Sequence, residues 1–80
     1  MTRQIDRHLA SIVGANIRSA RDKAELTQRE LGERIGAEGL FISRWERGAN
    51  VPSPKYLPLL ADALFDGDIS ALYVEAEEAA

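Results

Sequence analysis

Few side chains in this 80-residue sequence could do chemistry, and those that could are hydrogen-bonding and charged groups rather than nucleophiles or metal ligands. There is no cysteine, which excludes disulfides, zinc–thiolate sites and thiol catalysis. The one histidine, His8, stands apart from any acidic cluster and reads as an ordinary exposed or partly packed residue. No nucleophile–base pair, paired-acid constellation or phosphate-binding glycine loop is present, so the sequence is not expected to be an enzyme or to carry a cofactor or a metal. What is left is recognition. In "GAEGLFISRWERG", residues 36–48, Ile42 and Trp45 lie three apart and must share the inner face of a helix. That turns Leu40, Ser43, Arg44 and Arg47 outward. A guanidinium at Arg44 can bond guanine O6 and N7 together, and Leu40 suits a thymine methyl. Ser43 could add a hydroxyl, and Gly39 lets a backbone approach closely. Asn50 and Lys55, with the amides near Ser53, form a candidate phosphate clamp.

The charge pattern permits such a partner without requiring it. The net charge is −3, but it is unevenly spread. Residues 1–59 hold ten Lys/Arg against seven acids, and residues 60–80 hold six acids and no base. Local field matters more than the sum, because contacts with phosphate depend on it. No apolar run approaches membrane-spanning length, and the polar start "MTRQIDRHLA" is unlike a secretion signal, so a cytoplasmic location is expected.

Five helices must position these groups, giving an all-α fold. Ile5, Leu9, Ile12, Val13, Ile17 and Ala20 recur at helical spacing, which predicts a first helix from about Asp6 to Lys23 with Asp6 as N-cap. Gly14 inside it allows another helix to come close. Thr27 and Glu30 form a capping box at the start of a second helix through "QRELGERI". Gly36 ends that helix in a left-handed turn. A third helix spans roughly Gly39 to Arg47. Ser53 caps a fourth, with Pro54 at its first position, Pro58 tolerated in its first turn, and Tyr56, Leu57, Leu60, Ala61 and Leu64 inward. Asp68 starts a short fifth helix through Ile69, Leu72 and Tyr73. Residues 1–74 read as one domain, and 75–80, "EAEEAA", as an acidic tail that frays.

The segment Gln28 to Arg47 resembles the helix-turn-helix of the phage repressor/Cro family, also called the XRE type. The motif places Leu31, Ile35, Ile42 and Trp45 at its apolar positions, Gly32 where the helices cross and Gly36 at the turn. "NIRSAR", "LTQREL", "ISRWERG" and "PSPKYLPLLADAL" are similar to the family as well, so the likeness runs from about Val13 to Tyr73. It implies a compact five-helix, repressor-like domain that binds a near-palindromic DNA operator as a homodimer, with helix three in the major groove. The function implied is that of a sequence-specific transcriptional regulator of repressor type. Base-reading positions fall on Arg44, Leu40, Ser43 and Gly39. Phosphate-contacting positions fall on Gln28, Thr27, Arg47, Asn50 and Lys55. Arg21 and Glu46 correspond to a structural ion pair between helices one and three.

Glu38, Gly39 and Leu40 depart from the family, which commonly has serine or threonine at the first and polar groups at the others. Glutamate is a poor N-cap and would repel phosphate. These residues, Phe41 and the acidic C-terminal third motivate a second reading: an antitoxin or protein-interaction module that keeps the fold. Phe41 lies one turn before Trp45 and either packs across its edge or stays exposed. Arg29 and Arg34 read as solvated face. A dimer interface is expected on the first helix or on Ile69, Leu72 and Tyr73.

Overall fold

Apolar residues three and four apart become the buried sides of helices throughout residues 7–75, the part of the chain that the computed structural model describes. The α-helices are α1 (Arg7–Lys23), α2 (Gln28–Ile35), α3 (Gly39–Glu46) and α4 (Leu57–Leu64), and no strand occurs among the described residues. Val13 and Ile17 of α1, Leu31 and Ile35 of α2, Ile42 and Trp45 of α3 and Leu60 of α4 meet in one core with Leu72. Ile5 and Asp6, expected at the start of the first helix, lie outside the described residues, as does the tail from residue 76.

The entry of α2 forms as its local sequence requires. The Thr27 side chain accepts from the Glu30 amide at 2.9 Å, and the Thr27 amide donates to the Glu30 carboxylate at 2.9 Å. Two of the helix's four unpaired amides or their neighbours are satisfied by this exchange. At the other end Gly36 adopts φ 78°, ψ 29°, the left-handed conformation that turns the chain towards α3.

Close approach explains the two buried glycines. A Cβ on Gly14 would stand 2.1 Å from the Trp45 carbonyl oxygen, and one on Gly32 would stand 2.3 Å from that of Ala37. α1 therefore lies directly on the end of α3, and α2 on the turn.

The five-helix expectation is corrected to four α-helices and two 3-10 segments among the described residues. The fourth helix does not begin at Pro54. Pro54–Tyr56 is a 3-10 turn, and Ser53 makes no side-chain cap. The cause is Pro58, which has no N–H to give the Pro54 carbonyl at i+4, so the Leu57 amide donates to that carbonyl instead. The fifth helix is a 3-10 segment, Ile69–Tyr73. Its Asp68 carboxylate accepts from the Ser70 amide at 3.0 Å and hydroxyl at 2.6 Å. Its carbonyls are taken from outside: Asn16 Nδ2 donates to Leu72 O at 2.8 Å and to Val74 O at 2.9 Å. This clamp ties the C-terminal segment to α1. Leu72 is fully buried, so it belongs to the core and is withdrawn from the expected dimer surface; Ile69 and Tyr73 are exposed.

Candidate nucleic-acid interface

The outward face of α3 is fixed by what lies behind it. Ile42 and Trp45 are buried, and Trp45 packs against the Tyr56 ring at 5.3 Å between centroids. Leu40 and Arg44 are exposed and Ser43 is half-buried. Arg44 makes no ion pair among the described residues, so its guanidinium is uncommitted. A shallow hollow of about 230 Å³ opens beside it, lined by Phe41, Arg44, Trp45, Asn50, Val51, Ser53 and Tyr56. Phe41 is neither buried nor free-standing: it forms one wall of this hollow.

The ion pair expected between Arg21 and Glu46 forms and holds the end of α3 in place. Arg21 Nε and Nη2 donate to the two Glu46 carboxylate oxygens at 2.6 and 2.9 Å, and Nη1 donates to Leu26 O at 2.7 Å. The side chains are only 12% and 4% exposed. Hydrogen bonding to Glu46 raises the Arg21 pKa above its ordinary value; burial opposes this, while the charges of Glu46 and Asp22 add to it. The pair is thus a bidentate clamp between α1 and α3.

The phosphate candidates fall on both sides of α3. On one side, the start of α2 packs against the start of α3, because a Cβ on Gly39 would rest 3.6 Å from the Arg29 backbone and 3.8 Å from that of Gln28. The Gln28 and Arg29 amides, first in their helix, have no helical acceptor and suit an anion. On the other side, Asn50 shares the hollow with Arg44, and Lys55 Nζ sits 5.1 Å over the Tyr56 ring. Arg47 is exposed at the end of α3, its Nε reaching Ser43 O at 3.4 Å. Thr27 is exposed, and its hydroxyl oxygen is occupied by the cap.

One contact was not read from the sequence. Gln28 Nε2 donates to Glu46 Oε1 at 3.0 Å, so Glu46 serves α1 and α2 together. One amide hydrogen of Gln28 is committed and the other is left for an outside acceptor. Asn16 was missed as well. The available signal was an amide on α1 at the edge of the apolar stripe, four residues from Ala20 and one from Ile17. His8, exposed as expected, lies 3.4 Å from Glu75. Arg29 pairs with Glu33 at 3.4 Å, on the solvated face.

Comparison with known proteins matches this geometry. Residues 12–65 fit a family model described as a helix-turn-helix domain. The chain is 42% identical over 65 residues to an uncharacterized HTH-type transcriptional regulator of Mycobacterium tuberculosis, covering 79% of this chain and 44% of that protein. It is 36% identical over 53 residues to repressor protein C2 of Salmonella phage P22, covering 66% of this chain and 24% of the repressor. The chain therefore spans less than half the length of these curated relatives. The crystal structure of the P22 c2 repressor with a synthetic operator superposes with a TM-score of 0.71 at 33% identity, covering 75% of this chain and 89% of that one. With its capped α2, left-handed turn at Gly36 and core-anchored α3, the chain belongs to the helix-turn-helix family.

Proposed function

We propose that this protein is a sequence-specific, DNA-binding transcriptional regulator of repressor type that lays α3 in the major groove. The observation that carries this is Arg44: exposed, without an ion pair among the described residues, and held on a helix whose opposite face is locked by Ile42, Trp45 and the Arg21–Glu46 clamp. A guanidinium on so fixed a base can make the paired bonds to a guanine edge. Leu40 would meet a thymine methyl, with Ser43 and Gly39 beside it. Thr27, Gln28, Arg47, Asn50 and Lys55 would hold phosphates on either side, setting register rather than sequence preference. The helix-turn-helix repressor of phage P22 was crystallised with an operator, and the shared fold supports the same use here. Two copies on a near-palindromic site would double the few base pairs one α3 can reach. The setting would be the cytoplasm; among the described residues no helix is long and apolar enough to cross a membrane.

One observation favours a second reading, a protein-interaction module such as an antitoxin. Leu40, Phe41 and Val51 are 53%, 38% and 44% exposed on or beside the same face. Salt separates the two. If Arg47 and Lys55 each neutralise a phosphate in a two-copy complex, affinity for duplex DNA should fall roughly a hundredfold between about 50 and about 200 mM salt. A partner bound through the apolar residues would lose less than about threefold over that range. A flat titration, or no retention of duplex at low salt, would overturn the DNA-binding reading.

A further inference from the structure

Glu38 occupies the N-cap of α3 in the extended conformation that N-caps adopt, φ −77° and ψ 150°, yet its side chain caps nothing. Two other exposed caps are used, Thr27 accepting from Glu30 and Asp68 from Ser70, while Ser53, like Glu38, caps with its backbone alone. Glu38 is exposed, and although its carbonyl accepts from the Phe41 amide at 2.9 Å, its side chain makes no hydrogen bond or ion pair among the described residues. Arg29, whose backbone lies against the start of α3, is turned to Glu33 instead. The carboxylate therefore has no task among the described residues.

Its neighbour points the same way. Gly14 and Gly32 are demanded by carbonyl oxygens within 2.1 and 2.3 Å of an added Cβ, but Gly39 is not. A Cβ there would meet only ordinary contacts at 3.6 Å, and its φ is not left-handed. The fold would accept a larger residue. Glycine sets the start of α3, with Glu38 just before it, against the α2 backbone at Gln28 and Arg29.

The base edges then select one partner. In the major groove the hydrogen-bond donors are the exocyclic amines of cytosine and adenine; guanine and thymine show acceptors. An ionised carboxylate can only accept, so it is repelled by guanine O6 and N7, by thymine O4 and by phosphate. Beside its amine, adenine also presents the N7 lone pair, whereas cytosine presents the donor alone. Accepting from one base and repelling the rest gives discrimination from both directions.

We infer that Glu38, at the start of α3, is a specificity-determining residue whose carboxylate accepts a hydrogen bond from the N4 amine of a cytosine in the major groove. The inference rests on the DNA-binding reading above. Sites selected from a random-sequence duplex library by the full chain should carry cytosine at one position per half-site. Glu38→Ala should lose the preference at that position alone, and bind the original site about tenfold more weakly. Glu38→Gln, which presents a donor and an acceptor, should shift the preference to adenine. The Glu38 side chain has no partner among the described residues to lose, so both variants should melt close to the unchanged protein. If Glu38→Ala instead binds every duplex more tightly with an unaltered motif, the charge only repels phosphate and the inference is overturned. A motif from the unchanged protein that lacks the cytosine overturns it as well. Failure of the unchanged protein to enrich any duplex overturns the DNA-binding reading and this inference together.

Discussion

Replacing Gly14 with alanine is expected to lower the stability of the domain by about 3 kcal/mol. At an ordinary helical position the same change would stabilise by up to about 1 kcal/mol, because alanine is the better helix former. Here the new methyl would lie 2.1 Å from the Trp45 carbonyl oxygen and 3.0 Å from that of Glu46, both backbone atoms. No side chain can turn aside to admit it. α1 and α3 would have to separate, yet the Arg21–Glu46 bonds and the buried Trp45 hold them together. A domain this size has roughly 4–12 kcal/mol of stability in all, so the loss would be plain in a chemical denaturation midpoint. A midpoint that rose would show that α1 does not lie on the end of α3.

Glu46→Gln is expected to cost a similar amount, about 3 kcal/mol, for a different reason. The change keeps the shape of the side chain but leaves the Arg21 guanidinium, 12% exposed, facing a neutral group. Breaking one side of a buried pair is expensive because the remaining charge is uncompensated, and the partial exposure of Arg21 places this case at the lower end of the range. The same substitution weakens the acceptor for Gln28 and so loosens the start of α2 from α3. Replacing both partners, Arg21→Met with Glu46→Leu, should cost less than the single change, since no unpaired charge is then buried. Thermal melting of the two variants beside the unchanged chain checks this order. A Glu46→Gln protein as stable as the unchanged chain would mean that the clamp contributes nothing.

How much was legible in the sequence depended on range. The Thr27–Glu30 box and the Gly36 turn are written within four residues and formed as read. The apolar spacing of Leu31, Ile35, Ile42 and Trp45 set the faces of α2 and α3, because one side of each helix must be buried. The segment after Ser53 has helical spacing from its start, but a proline acts beyond its own position. The absent N–H of Pro58 acts on the carbonyl of Pro54, and that pairing makes the 3-10 turn. The short C-terminal segment was misread because its carbonyls are held by Asn16, 56 and 58 residues away in sequence. No local pattern announces a contact at that separation. The same holds for Gln28 and Glu46. In the candidate site, spacing alone placed Arg44 and Leu40 on the exposed side, whereas the hollow shared by Phe41, Asn50 and Val51 needed the loop's path.

The central claim is that α3 reads DNA through Arg44. Its most direct test is a random-sequence duplex selection run in parallel on the unchanged chain and on Arg44→Ala, followed by affinity measurements on the recovered site. The unchanged chain should return an inverted repeat with a guanine fixed at one position in each half. Arg44→Ala should lose that guanine alone and bind the original site with about 1–3 kcal/mol less free energy per contact. Recovery of the same site with the same affinity by both proteins would contradict the claim.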